Sequence, residues 1–275
     1  MKKQPAFRSV PWVFAVPASL GVFAIIGPLL GLAFHIPWAD TLELLTHAEA
    51  LKSAQLSVWT ALLSTAICGI LGIPLSLIFT QVLSRTRAQK ISLVLYAFIY
   101  TPVILSPVVS GLALTFFWGR KGVLGQWLYE LGISIPFTPT AVVLTQIFVG
   151  LPFFVATAVT TLRSVPVEFE ELALVEGASP WEVTCKVLLP LTAPGLGTAF
   201  LLAFARALGE YGATVTFAGN IAEKTRTIPL NIELMLSSNL MPEALGSSLM
   251  LMSLYLIILG IALLLIALQR LRGIR

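Results

Sequence analysis

The sequence predicts an all-α integral membrane protein of about six transmembrane helices, with a long cytoplasmic loop between the fourth and fifth. Three observations predict it. Hydrophobic residues make up 57% of the chain and charged residues only 11%, against about 25% charged in a soluble domain. The apolar residues gather into six runs of the length needed to cross a bilayer, about 20 residues each, at about 11–34, 55–82, 91–118, 140–162, 192–218 and 246–269. The lysines and arginines are shared unequally between the connecting segments, and this sets one orientation for all six.

Met1-Lys2-Lys3 and Arg8 lead into the first run, an apolar stretch from Pro11 to Phe34. A cleaved secretory signal has an apolar core of about 7–15 residues. This one is longer and reads as an uncleaved first span. Residues 1–54 then form an N-terminal unit of one span and one external loop, and 55–275 form the core. His35, Asp40, Glu43, His47 and Glu49 share that loop at spacings that fit no familiar metal site. The third run carries Pro102 and Pro107. Neighbouring helices can re-satisfy the backbone groups that a proline frees in a membrane, so this span reads as bent, or as a broken element near a pathway. Gly119-Arg120-Lys121-Gly122 reads as a solvated turn, and Trp12, Trp38, Trp118 and Trp127 fall near span ends, where indole rings favour the interface. Cys68 lies inside a run and Cys185 in a charged segment, so neither a disulfide nor a metal pair is expected.

With the N-terminus inside, one side of the membrane receives Lys2, Lys3, Arg8, Arg85, Arg87, Lys90, Arg163, Lys186, Arg270, Arg272 and Arg275. The other receives Lys52, Arg120, Lys121, Lys224 and Arg226. The richer side is the cytoplasmic one, so both termini face the cytoplasm. The net charge of +4 is scattered between apolar runs, with no basic stripe of the kind that binds nucleic acid.

The segment from Arg163 to Leu191 is therefore a cytoplasmic loop. Pro166 suits a first helical position, and Glu168, Glu170 and Glu171 follow in the first turns, where the helix dipole favours negative charge. Gly177 offers a left-handed stop. Ser179-Pro180-Trp181-Glu182 is a capping box, opening a second helix that runs to about Leu189, with Pro190 near the next span. Phe169, Leu172 and Ala173 fall on one face at i, i+3 and i+4. On the residues alone this stripe fits two roles, a groove-filling surface for a partner or a connector packed on its own bundle.

Glu171-Leu172-Ala173, then Gly177, then Val187 and Leu189-Pro190 resemble the "EAA" loop of bacterial ATP-binding-cassette importer permeases, with Leu172 in place of the middle alanine. The resemblance implies that Glu170, Glu171, Leu172, Ala173, Gly177, Ala178, Leu189 and Pro190 form a loop that docks on an ATPase subunit and transmits its motion.

The fifth run holds Arg206 and Glu210, four residues apart on one predicted helical face and able to pair. Ionisable groups inside a membrane pair or face a polar cavity. The two readings are a structural ion pair, or an anion-attracting Arg206 whose partner Glu210 holds it or gates the way. Gly209 and Gly212 leave little bulk there, which permits close packing or a bend. The stretch from Arg206 to Asn220, with Thr225-Arg226-Thr227-Ile228-Pro229-Leu230, resembles molybdate and sulfate/thiosulfate importer permeases, the Thr-Ile-Pro-Leu element looking more like the molybdate branch. The likeness runs from about Gln55 to the C-terminus. It implies that Arg206, Glu210 and Thr214 belong to the translocation pathway or its gate.

The same resemblance implies a permease dimer, most simply of two identical copies, above two cytoplasmic ATPase subunits, fed by an extracytoplasmic oxyanion-binding protein in the cytoplasmic membrane of a bacterium or archaeon. ATP and magnesium belong to the ATPase. This chain lacks the Gly-x-x-x-x-Gly-Lys-Ser/Thr phosphate loop, so it is expected to carry no cofactor and to be no enzyme itself. A secondary transporter would show two related halves, and no clear repeat is present. A membrane-embedded enzyme would need a nucleophile–base pair or metal ligands within the spans, and neither histidine has a clear position there.

Overall fold

A computed structural model describes residues 12–84 and 89–271. Among these residues all regular structure is helical. Of the basic residues used for orientation, Lys2, Lys3, Arg8, Arg85, Arg87, Arg272 and Arg275 lie outside them, as does the start of the first predicted span.

Helix α1 (Ala15–His35) follows a single 3-10 turn at Trp12–Phe14. None of its described residues is buried against the rest of the chain. It is apolar all round, so a lipid or protein surface outside this fold must cover it. The loop after α1 then holds a second 3-10 turn (Trp38–Asp40) and the short α2 (Thr41–Thr46).

The core is a packed set of α3 (Ala48–Ser84), α7 (Pro139–Arg163) and α10 (Leu189–Leu208). In lipid the hydrophobic effect does not drive helices together, so close fit must do so. The buried face of α3 is accordingly made of small side chains: Ser53, Ser57, Thr60, Ala61, Ser64 and Cys68. Two of their hydroxyls bond inside the helix, Thr60 donating to the Leu56 carbonyl at 2.8 Å and Ser64 to that of Ala61 at 3.0 Å. The larger side chains come from the facing helices, where Phe154 and Phe200 meet edge to face at 4.9 Å.

The third span is broken. Helix α4 (Gln89–Ile104) and α5 (Pro107–Trp118) meet at 113° across Leu105 and Ser106. The cause is legible in the residues. Pro107 occupies the first helical position, where its missing N–H is no loss, and Ser106 caps the turn by accepting from the Val109 N–H at 3.4 Å. The short α6 (Gly125–Glu130) follows.

The loop between the fourth and fifth spans contains α8 (Val167–Val175) and α9 (Pro180–Glu182). The sequence suggests a second loop helix separate from a fifth span at 192–218. Instead α9 runs through a π-helical stretch, Val183–Leu188, straight into α10. The Leu189 N–H reaches back five residues to the Thr184 carbonyl. This widening falls where Pro190 has no N–H to give the Lys186 carbonyl and its ring would press on it. The fifth span also ends at Leu208 rather than near 218, and a short α11 (Gly212–Phe217) continues beyond a break. Helix α12 (Ile228–Ser237) packs on the last span, α13 (Met241–Leu271).

Candidate functional site

A helix that ends inside a membrane leaves its last carbonyls without partners, and no bulk water is there to take them. At the end of α10 two of them, those of Ala205 and Ala207, are met. The Ala205 carbonyl accepts from the Gly209 N–H and from the Tyr255 hydroxyl of α13, both at 3.3 Å. The Ala207 carbonyl accepts from the Glu210 N–H and from the Gln146 side-chain amide of α7, both at 3.2 Å.

Glu210 lies in this break, one residue pair past the helix end, and not on a continuous helical face with Arg206. The break still brings them together. A guanidinium nitrogen of Arg206 lies 2.6 Å from one Glu210 carboxylate oxygen, and the other oxygen accepts the Ala213 N–H at 2.9 Å. The Glu210 side chain is 2% exposed and that of Arg206 is 32% exposed. A buried carboxylate with one cation and one backbone donor is well compensated.

The exposed third of Arg206 opens on a cavity of about 160 Å³. Its walls are Arg206 and Glu210 from the fifth span, Pro102, Val103, Leu105, Pro107 and Ser110 from the broken third span, and Val149 and Phe153 from α7. The two breaks adjoin. A Cβ on Gly212 would lie 2.4 Å from that of Pro107, and one on Gly111 would lie 2.5 Å from Thr216 Cβ, so glycine at both positions is what lets α5 and α11 touch.

The loop on the other side of the chain is built as its residues suggest. Gly177 has φ +90°, and it closes α8 in a Schellman motif: its own N–H reaches the Leu174 carbonyl at 3.1 Å and the Ala178 N–H reaches that of Ala173 at 3.0 Å. The capping box forms, with the Ser179 hydroxyl accepting the Glu182 N–H at 3.3 Å and the Glu182 carboxylate accepting the Ser179 N–H at 3.0 Å. Between them the loop leaves an apolar surface open: Leu172 is 61%, Val175 83% and Trp181 75% exposed. Patches of this kind mark contact sites.

The stretch 219–230 is tied down by polar contacts. Arg226 pairs with Glu49 at 3.6 Å and donates to the Asn220 side-chain oxygen at 3.1 Å. The Thr225 hydroxyl donates to the Gly219 carbonyl and accepts from the Ile221 N–H, both at 2.9 Å. The Ile228 N–H donates to Ser57 of α3 at 2.7 Å. Lys52 and Glu223 form a further pair, and the ammonium holds that carboxylate below its usual range.

The family description "binding-protein-dependent transport system inner membrane component" matches residues 72–273. The chain belongs to this family. It is thus a multi-pass inner-membrane permease subunit of the importer class, and not the ATPase. The chain is 41% identical over 223 residues to the molybdenum transport system permease protein ModB of Mycobacterium tuberculosis, covering 81% of this chain and 82% of that one. It is 35% identical over 208 residues to the probable transport system permease protein NifC of Clostridium pasteurianum, covering 76% and 71%. The sulfate transport system permease protein CysT of Escherichia coli is 32% identical over 198 residues, covering 72% and 70%. In fold the chain is similar to a subunit of a bacterial alginate ABC transporter crystallised with its alginate-bound periplasmic protein, at TM-score 0.69, 16% identity and 91% of both chains. It is also similar in fold to a chain of the inward-facing MetNI methionine ABC transporter, at TM-score 0.52, 16% identity, 84% of this chain and 100% of that one.

In this permease the eleven residues singled out from the sequence fall in four places. Glu170, Glu171, Leu172, Ala173, Gly177 and Ala178 form the end of α8 and its turn, whereas Leu189 and Pro190 stand apart at the start of α10. Arg206 and Glu210 share the cavity between the breaks. Thr214 does not line it. It is fully buried in α11, and its hydroxyl has no hydrogen-bond partner among the described residues. Ser110 and Gln146 escaped sequence reasoning. Gln146, an amide in the middle of an apolar run, carried a signal; Ser110 resembles any small helix-packing residue until the fold places it in the wall of the cavity that Arg206 also lines.

Proposed function

We propose that this permease passes a tetrahedral oxyanion, molybdate in the first place and tungstate by its like shape and charge, driven by a separate ATPase. The observation that carries the reading is the 41% identity, across four-fifths of both chains, to the molybdenum transport system permease protein. The cavity between the breaks agrees with an anionic cargo, since its one cation, Arg206, is held inside the spans.

In this reading the end of α8, with Gly177 as its stop, is the coupling loop, and Leu172, Val175 and Trp181 are covered by the ATPase. The π stretch joins that loop rigidly to α10 and so to Arg206. Two permease copies, two ATPase subunits that bind ATP and magnesium, and an extracytoplasmic oxyanion-binding protein complete the machine. The uncovered α1 supports a second copy beside this one. Residues 1–54 form the N-terminal unit and 55–275 the permease core, with both termini in the cytoplasm. The test is molybdenum uptake by metal analysis in cells with and without the gene, at trace molybdate and with excess sulfate. Gene-dependent uptake that survives sulfate is the expected result.

The likeness to the sulfate transport system permease protein favours sulfate or thiosulfate as the second reading. Molybdenum uptake abolished by sulfate, or gene-dependent uptake of sulfate alone, would move the assignment there.

A further inference from the structure

We propose that the cavity between the two broken spans is a transit site for the oxyanion, held by Arg206, the Ser110 hydroxyl and the N-terminal end of α5, with the Glu210 carboxylate as the group the anion displaces. The inference rests on the oxyanion-importer reading and specifies where in the chain the anion pauses.

Four observations carry it. The first is Ser110. It is 1% exposed, lines the cavity, and makes no side-chain hydrogen bond among the described residues. Many span hydroxyls use their own helix, those of Thr115, Thr145 and Thr192 donating to the carbonyl four residues back at 2.7–2.8 Å. Thr65 and Thr214 are buried without a partner among the described residues, but Ser110 is set apart from them by lining the cavity. Ser110 is one turn beyond Ser106 and does not use that carbonyl. A buried hydroxyl that forgoes its own helix and faces a cavity is poised for a ligand.

The second is α5. This 12-residue helix starts at Pro107, at the cavity wall. The N-terminal end of a helix carries about half a positive charge, and a helix that starts inside a membrane offers this to an anion where water does not screen it. The third is Arg206, whose planar fork has five N–H donors. Its bond to Glu210 uses one end of the fork, and the exposed part of the side chain lies on the cavity. The fourth is size. A four-oxygen anion takes roughly the room of three waters at ~30 Å³ each, and the cavity holds about 160 Å³.

Glu210 gives the site its character. Empty, it neutralises Arg206, so the break carries no uncompensated charge. When a dianion arrives, the guanidinium turns to it, and Glu210 keeps the Ala213 N–H. The displaced carboxylate then repels the anion from close range. A pathway needs sites that bind strongly enough to admit an ion and weakly enough to release it, and a built-in competitor supplies the second requirement.

The test uses the complete transporter, permease with ATPase and binding protein, in proteoliposomes, and reads radiolabelled molybdate moved per ATP hydrolysed. Ser110→Thr keeps the hydroxyl, and Ser110→Val has the same shape without it. Threonine is expected within threefold of wild type and valine at least fivefold below threonine. Equal transport by the two overturns the site, because a packing role would treat them alike. The paired replacement Arg206→Gln with Glu210→Gln removes both charges and leaves no unpaired one. Loss of transport by at least tenfold in an assembled complex supports the site, and wild-type transport overturns it. If that pair fails to assemble, the threonine–valine comparison decides. Wild-type vesicles without ATP-dependent molybdate uptake would instead sink the importer reading itself.

Discussion

Gly212 stands against Pro107 so closely that a Cβ on the glycine would lie 2.4 Å from the Cβ of the proline. Each residue begins the helix that follows a break, Pro107 in the third span and Gly212 in the fifth. With the approach of Gly111 to Thr216, this contact sets the distance between the two walls of the cavity.

Gly212→Ala is therefore expected to push α11 off α5. Overpacking of a tight interface costs about 1–3 kcal/mol, and the purified permease should melt several degrees lower and transport less. Gly197→Ala in α10, where a Cβ would meet nothing within 4 Å, is the control and should melt with the wild type. Equal melting of the two alanine variants would mean the breaks do not touch.

Glu210→Ala removes both the partner of Arg206 and the acceptor of the Ala213 N–H. Breaking a fully buried pair costs about 3–5 kcal/mol, and the cost here is smaller because the guanidinium is one-third open. Reduced yield of monodisperse permease, or reduced transport, is the expected outcome. Glu210→Gln keeps an acceptor for Ala213 and should be milder. An unaffected alanine variant would show that Arg206 is served by water.

Gly177 meets no atom that a side chain would strike, but its φ of +90° strains any other residue. Gly177→Ala tests that strain alone and should weaken uptake partly. Gly177→Asp adds a charge to the open face of the loop and is expected to abolish uptake while membrane insertion stays normal. Normal uptake by the aspartate variant would remove the coupling assignment.

Pro190→Ala restores an N–H that can reach the Lys186 carbonyl, the bond whose loss accompanies the π stretch. The expected result is slower amide exchange across 184–191 and less molybdate moved per ATP, since the turn of α10 relative to the loop changes. Unchanged exchange would assign the π stretch to some cause other than the proline.

Much of this was determined by the sequence alone. The apolar runs and the basic loops specify a membrane protein because bilayer thickness and charge asymmetry act on composition, without reference to any contact. The turn at Gly177, the capping box at Ser179 and the break at Pro107 were legible because each depends on residues within four positions of one another. So was the Arg206–Glu210 pair, although the helix that was to carry it stops at Leu208.

What the tertiary structure decided is the meeting of distant pieces. That the fifth span ends early depends on Gln146 and Tyr255 reaching its carbonyls from two other helices. That Ser110 and Arg206 line one cavity depends on Gly212 and Gly111 letting two breaks adjoin. In a membrane every helix is apolar on most sides, so hydrophobic pattern distinguishes its faces poorly. Steric fit and the partnering of freed backbone groups choose the face, and both are properties of the assembled bundle.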